Sequence, residues 1–327
     1  MTLHAPARPA PPEAAAHDGI SVVVPVYNGS ATLRELLERL HKSLAALPGP
    51  FEVILVNDGS TDASWELITQ LQRRRKWLRA IDLMKNYGQH NALLCGIRGA
   101  RYGVIVTMDD DLQHSPEDIG RLLDRLREGY DVVYGTYREV RQGWRRRLVT
   151  AAAKWVMQRA MGVRMVGQVS AFRAFRSELK TAFLAYDGPY VSVDVLLSWG
   201  TQRFGSTTVD HSARRAGRSN YTFRKLVTFA MDMTTGFSAW PLRAASAIGF
   251  FFTLFGGLVM VYVVTRYLVE GSPVPGFPFL ASIASLFSGA QLFALGVIGE
   301  YLARLHFRSM GRPPAIVRRE LGAGAWT

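Results

Sequence analysis

Residues 102–118 read YGVIVTMDDDLQHSPED. A short apolar run, Val104 to Val106, leads directly into three consecutive aspartates, and a helix start follows. Ser115 stands where an N-cap belongs and Pro116 occupies the first helical position. Strand, acidic turn and helix in that order describe one unit of an alternating α/β chain. Other apolar runs repeat the strand signal: ISVVVPV at 20–26, FEVILV at 51–56, WLRAIDL at 77–83 and YDVVYG at 130–135. Between them, ATLRELLERLHKSL and SPEDIGRLLDRLREG place apolar residues at i, i+3 and i+4, the helical period. Strands alternating with helices predict a mostly parallel, Rossmann-like sheet covered on both faces. Ligands of such sheets bind beyond the carboxyl ends of the strands. Two polar segments fall there, NDGSTDAS at 57–64 and DDDLQH at 109–114.

Three adjacent carboxylates repel one another, and a divalent cation relieves that repulsion. Mg²⁺ or Mn²⁺ takes oxygen ligands and is commonly shared with substrate phosphates. Asp109-x-Asp111 has the spacing for such a site, and Gln113 adds an amide oxygen two residues on. The alternative at this stage is an acidic, solvated turn capping the next helix. NDGSTDAS is ambiguous in the same way. It is turn chemistry in which Ser or Asp caps a helix near Ser64, or a site where Asp58 accepts hydrogen bonds from a base or ribose. Tyr27 follows the first strand, placed either to stack on a flat base or to close the core.

Several classes are disfavoured. No G-x-G-x-x-G follows the first strand and no G-x-x-x-x-G-K-[ST] occurs. No Cys/His cluster has zinc spacing, and no G-x-S-x-G elbow is present. The single cysteine, Cys95, rules out an internal disulfide framework and reads as a packed thiol. The formal charge of +13, from 39 Lys and Arg against 26 Asp and Glu, calls for an anionic partner.

The C-terminal third decides which partner. Residues 244–265 form 22 positions without a charge, and a second uncharged run covers 279–299. Each approaches the roughly 20 residues that span a bilayer core. Arg224, Lys225 and Arg243 precede the first run, and Arg304, Arg308, Arg312, Arg318 and Arg319 follow the second. By the positive-inside rule the large N-terminal domain and the tail face the cytoplasm. Because the charge clusters flank these runs, an anionic membrane surface is favoured and a nucleic acid is not. The expected organisation is a disordered, non-secretory tail at 1–19 and an α/β domain at 20–220. An amphipathic interfacial segment at 221–243, a transmembrane hairpin at 244–303 (spans at about 244–267 and 279–303) and a basic cytoplasmic tail at 304–327 complete it. Gly256, Gly257 and Gly289 would permit close helix packing, including between copies in a homo-oligomer.

Taken together, V-P-V-Y-N, V-N-D-G-S-T-D and M-D-D-D-L-Q-H-S-P-E, each after a strand, resemble the family 2 glycosyltransferases of GT-A fold. NYGQHNALLCG (86–96), GVIGEYLARL (296–305) and the two apolar runs narrow the likeness to the bacterial polyprenyl-phosphate glycosyltransferases. The resemblance covers about residues 20–310. It implies a multi-pass protein of the bacterial inner membrane that moves a sugar from a UDP- or GDP-linked donor to polyprenyl (undecaprenyl) phosphate, with inversion and Mg²⁺ or Mn²⁺ as cofactor. It further implies that Pro25, Tyr27, Val56, Asp58, Asp109 and Asp110 bind the nucleotide sugar, and that Asp111 and Gln113 hold the metal. Asp109 would face the ribose and sugar. Arg138 and Arg141 match the family's diphosphate- and acceptor-contacting arginines, with Arg145, Arg146 and Arg147 beside them. Arg214 and Arg215 are weaker candidates for the acceptor phosphate.

Departures from the family pattern are Gly29 and Arg218, where relatives carry Glu, and Gly167 or Gln168, where an acidic residue is common near the acceptor. Asp194, in PYVSVDVLLSWG, is either a shifted acidic group or structural. Two rival readings remain. A processive polysaccharide synthase would need a Q-x-x-R-W motif, whereas Trp199, Gln202 and Arg203 occur here in the wrong order. A non-catalytic membrane scaffold would not need the acidic triplet.

Overall fold

The computed structural model describes residues 17–137, 169–184, 186, 191–210, 240–270, 276–311 and 313–322. Arg138, Arg141, Arg145, Arg146, Arg147, Gly167, Gln168, Arg214, Arg215 and Arg218 lie outside them, as does nearly all of the expected interfacial segment.

Five strands follow the five apolar runs: β1 (His17–Val26), β2 (Phe51–Asn57), β3 (Leu78–Leu83), β4 (Tyr102–Thr107) and β5 (Val132–Thr136). β1 begins within the segment expected to be a tail. α1 (Leu33–Ala45) and α2 (Ser64–Gln72) follow the first two strands, and α3 (Gln89–Gly99) follows the third. α4 (Ile119–Arg127) is entered through a 3₁₀ turn at Pro116–Asp118. Ser115 occupies the N-cap position there but its side chain makes no capping bond; its Oγ instead accepts from Arg39 at 3.4 Å. The apolar stripe of α1 buries Leu33, Leu36, Leu37, Leu40 and Leu44, the spacing that marked it in the sequence.

Three short strands complete the sheet. These are β6 (Arg173–Arg176), β7 (Phe204–Thr208) and β8 (Val317–Leu321). The order is β7-β5-β6-β4-β1-β2-β3-β8. β4, β1, β2 and β3 run parallel, while β6 and β8 pair antiparallel to their neighbours. Strand order reverses between β1 and β4, because β2 and β3 build outward on one side of β1 and β4 returns on the other. That crevice is the switch point at which sheets of this kind bind ligands.

Side chains alternate into two cores, one on each face. Val22, Val24 and Val26 meet α1, α2 and α4 on one side. On the other, Val23, Ile54 and Val56 meet α3, a short helix α5 (Thr181–Leu184) and α6 (Val193–Gly200). Cys95 belongs to this second core, where burial pushes its thiol up to about 12. It is a packed group and not a nucleophile.

Two long helices, α7 (Trp240–Glu270) and α8 (Phe277–Ser309), follow the sheet domain. Leu242–Val269 has a mean hydropathy of 2.3 and Leu286–His306 one of 1.4, and neither stretch is buried by protein. Uncovered apolar helices of 28 and 21 residues match a bilayer's thickness and are candidate membrane spans.

Candidate active site

β1, β2 and β4 end side by side, so the residues after them face one another across the switch point. Tyr27 follows β1, Asp58 follows β2, and Asp109, Asp110 and Asp111 follow β4. With Pro25, Val26, Asn86, Gly88 and Gln89 they line a cavity of about 310 Å³. A larger hollow of about 700 Å³ lies beside the amino end of β3 and is lined by Arg34, Arg73, Arg74, Arg75, His41 and Trp77. No carboxylate is among its lining residues and it lies away from the carboxyl ends of the strands, so the acidic cavity is the site.

The turns that frame the cavity are stitched together. Asn28 adopts φ +55, and its Oδ1 accepts from the backbone N–H of Thr61 at 2.8 Å. Asp62 Oδ1 accepts from the Ser64 backbone N–H at 3.1 Å and so caps α2, while its Oδ2 accepts from the Ser30 N–H at 3.2 Å. Ser64 Oγ in turn receives the Gly29 N–H at 3.0 Å. Across the cavity Leu112 has φ +59 and buries its side chain in the core, so the chain reverses directly after Asp111. A left-handed leucine costs about 1–3 kcal/mol, a strain found at functional sites. Asn28 and Leu112 are the two non-glycine residues with positive φ among the described residues, and both flank this cavity.

Each aspartate has a distinct environment. Asp58 is 3 % exposed and accepts the backbone N–H groups of Tyr87 at 2.7 Å and Gly88 at 2.9 Å. Burial raises its pKa, and those two bonds act in the opposite sense. Asp58 thus pins the loop ahead of α3, and a carboxylate keeps further lone pairs for a ligand. Asp109 Oδ1 receives the Gln89 amide at 2.5 Å. Asp111 Oδ1 accepts the Gln113 backbone N–H at 3.1 Å. Asp110 is the anomaly: its Oδ2 is buried with no hydrogen-bond partner. Burial, with Asp109 and Asp111 adding repulsion, pushes it up to about 7.

Those features fit a divalent cation. An orphaned carboxylate oxygen among like charges is stabilised by positive charge, and the donors are hard oxygens. Among the described residues, no three His, Cys, Asp or Glu side chains converge to cage an ion by themselves.

Asp110 also explains Gly29. A Cβ at position 29 would stand 2.1 Å from Asp110 Oδ2. The carboxyl group of Asp110 occupies the space that a side chain at position 29 would need. Gly29→Ala is expected to displace Asp110 and reduce kcat/KM by about tenfold or more, as overpacking costs of about 1–3 kcal/mol imply. Steady-state kinetics at saturating metal would show it, and an unchanged kcat/KM would contradict it.

The sequence-derived candidates divide accordingly. Pro25, Tyr27, Asp58, Asp109, Asp110 and Asp111 come together around the cavity. Tyr27 is 52 % exposed, which places its ring on the rim and not in the core. Val56 does not join them, being fully buried against α3 with Ile54 and Ala92, since β2 is covered on both faces. Gln113 is not among the lining residues either; its contact to Asp111 is through the backbone. Gln89 and Asn86 were missed, because their loop meets the site through partners distant in sequence, Asp58 and Asp109 among them. Tyr137 was missed too: burial, then the nearby Asp109 and Asp111, raise its phenol pKa. Its ring stacks on His114 at 5.5 Å.

Asp194 is structural. It is 5 % exposed at the start of α6 and forms an ion pair with the buried Arg173. Tyr134 Oη donates to the same oxygen at 3.0 Å. Arg173 Nε reaches Thr107 Oγ1 at 3.0 Å, at the end of β4 and two residues from Asp109. Burial works against the Arg173 charge, but Asp194 raises its pKa above the ordinary guanidinium value. His90, beside Gln89, is held below the usual imidazole range by burial.

Comparison with known proteins places this geometry. The family described as glycosyl transferase family 2 matches residues 21–177. The chain is 36% identical over 314 residues to the undecaprenyl-phosphate 4-deoxy-4-formamido-L-arabinose transferase of Pseudomonas aeruginosa strain LESB58, covering 94% of this chain and 91% of that protein. The protein of the same name from Serratia proteamaculans is 34% identical over 307 residues, covering 93% and 94%. Among solved structures, glucosyl-3-phosphoglycerate synthase from Mycobacterium tuberculosis, in complex with Mn²⁺, UDP-glucose and phosphoglyceric acid, matches with a TM-score of 0.50. It is 21% identical, covering 70% of this chain and 83% of that one, a likeness of fold.

Proposed function

The chain belongs to glycosyl transferase family 2 and is a glycosyltransferase, and from that premise we propose that it transfers a sugar from a nucleotide sugar to polyprenyl phosphate, with inversion. The observation that carries the reading is the acidic cavity at the β1/β4 switch point, in a chain that also bears two candidate membrane spans. Relatives named as undecaprenyl-phosphate transferases, matched over nearly the full length, supply the acceptor class.

In this reading a phosphate oxygen of the lipid attacks the anomeric carbon as the bond to the donor diphosphate breaks, and a nucleoside diphosphate departs. A phosphate monoester has a second pKa of about 6, so the nucleophile is largely dianionic at neutral pH and needs no general base. Asp111 and Asp110 would hold Mg²⁺ or Mn²⁺, which supplies charge stabilisation for the leaving diphosphate. Asp109, steadied by Gln89, faces the ribose and sugar, and Asp58 takes a donor from the base. Tyr27 offers its exposed ring to the base. Arg138 and Arg141, with Arg145, Arg146, Arg214 and Arg215, are assigned to the acceptor phosphate and the anionic membrane surface. The arginines around the apolar runs put the catalytic domain on the cytoplasmic side of a bacterial inner membrane.

Tyr27→Ala is expected to raise donor KM by about 10- to 100-fold with little change in kcat, since base stacking is worth about 1–3 kcal/mol. An unchanged KM would remove Tyr27 from the site. The reading as a whole is tested with UDP-, GDP- and modified-sugar donors, undecaprenyl phosphate and Mg²⁺ or Mn²⁺, detecting glycolipid by mass. The expected result is a singly glycosylated lipid phosphate from one donor class. Release of nucleoside diphosphate without glycolipid, from every donor, would overturn it.

A further inference from the structure

The sequence after α8 reads only as a basic tail, yet β8 within it closes the sheet edge at β3, the strand whose following loop lines the acidic cavity. It pairs antiparallel with β3, Ala80 opposite Leu321, Ile81 opposite Glu320 and Asp82 opposite Arg319; then Leu83 faces Val317. Arg318 is left without a partner position, a bulge of the kind that re-aims a side chain. Its guanidinium donates to the Met84 carbonyl at 2.8 Å and stands 3.9 Å from Asp82 Oδ2. The Met84 N–H donates to the Ile316 carbonyl at 2.9 Å. Both backbone groups of Met84, the last residue before the cavity loop, are therefore held by the C-terminal strand. Asp82 is 4 % exposed and receives the Asn57 amide at 2.8 Å. A carboxylate so buried needs a nearby cation, and Arg318 is placed to be one.

The chain from Met84 onward is the wall of the site. Asn86, Gly88 and Gln89 line the cavity. Gly59, at φ +64, lies so close that a Cβ there would come within 2.4 Å of the Asn86 nitrogen. Asp58 holds the N–H groups of Tyr87 and Gly88, and Gln89 reaches Asp109. From Arg318 to Asp109, every link is a direct contact or a chain neighbour. On the other side, only residues 310–316 separate α8 from β8, a span of at most about 29 Å when fully extended.

We propose that Arg318 is a positioning residue: with β8, it holds residues 84–89 in the conformation that forms the donor side of the acidic cavity, and it ties that side to the C-terminal apolar hairpin. The proposal rests on the reading of the cavity as the nucleotide-sugar site. A strand serving only to cover the edge of β3 would need backbone pairing but no particular side chain at 318.

The test uses the full chain in detergent with Arg318→Ala, Arg318→Lys and, as a control, the exposed neighbour Arg319→Ala. Two quantities are read: the Kd for UDP or GDP in the presence of Mn²⁺, and hydrogen exchange of the amides at 84–89. Arg318→Ala is expected to weaken nucleotide binding by about tenfold and to speed exchange at 84–89 by a similar factor, with exchange in β1 and β4 unchanged. Arg318→Lys, which keeps the charge, is expected to recover most of both, and Arg319→Ala to match the parent. Unchanged exchange at 84–89 in Arg318→Ala, or a rise spread over the whole sheet, would overturn the proposal. Should Arg318→Ala not fold, Arg318→Met keeps the length of the side chain but has no donor for Met84 and is read by the same criteria. If the parent binds neither nucleotide, the functional reading fails, while exchange at 84–89 still decides the role of Arg318.

Discussion

Asp111→Asn is expected to lower the rate of sugar transfer by about a thousandfold while leaving the fold intact, a loss of about 4 kcal/mol of transition-state stabilisation. The substitution is isosteric. Asparagine Oδ1 can still accept the Gln113 backbone N–H, so the turn after β4, with Leu112 in its left-handed conformation, keeps its geometry. On the proposed mechanism, what disappears is a negative ligand at the point where diphosphate charge grows. A neutral amide oxygen binds a hard dication far more weakly, and the repulsion among Asp109, Asp110 and Asp111 that the cation offsets is only partly relieved. Initial rates across a Mn²⁺ titration, paired with thermal melts, check this. The metal requirement should move to higher concentration and the melt should stay close to the parent's. Activity within tenfold of the parent would remove Asp111 from the metal site.

The second large effect concerns stability. Arg173→Ala is expected to cost about 3–5 kcal/mol, because it strands Asp194 as a buried charge to which the Tyr134 hydroxyl still donates but which has lost its cation. A melting-temperature fall of about 10 °C follows for a domain of this size. Thr107, at the end of β4, loses its Arg173 donor in the same variant, so activity should fall with stability. The triple change Arg173→Met, Asp194→Leu, Tyr134→Phe removes the three central members of the network together and leaves Thr107 its own bond to the Ala171 carbonyl at 2.8 Å. It should recover most of the lost stability, as replacing a whole buried network costs less than breaking it. A shift below about 2 °C for Arg173→Ala would show that the pair contributes little.

The parallel half of the fold and the acidic cavity were legible in the sequence for one physical reason. Strands buried on both faces read as unbroken apolar runs, and polar turns at their carboxyl ends must face the switch point. RAFR, FGSTT and VRREL carry no such signal: they are short, polar and antiparallel or at an edge, and their strand character comes from the neighbour they pair with. Long-range partners were equally invisible. Gln89 meets Asp109 from 20 residues away, Arg173 meets Asp194 from 21, and Arg318 meets Met84 from 234. Val56 was named from the family resemblance alone, and strand alternation turns its side chain into the core.

Binding of Mn²⁺ and a nucleoside diphosphate to the purified full chain, followed by calorimetry, tests the central claim most directly. The claim predicts mutual reinforcement, each ligand tightening the other severalfold, and loss of that coupling in Asp111→Asn. Tight nucleotide binding that is indifferent to Mn²⁺, and equal in parent and variant, would contradict it.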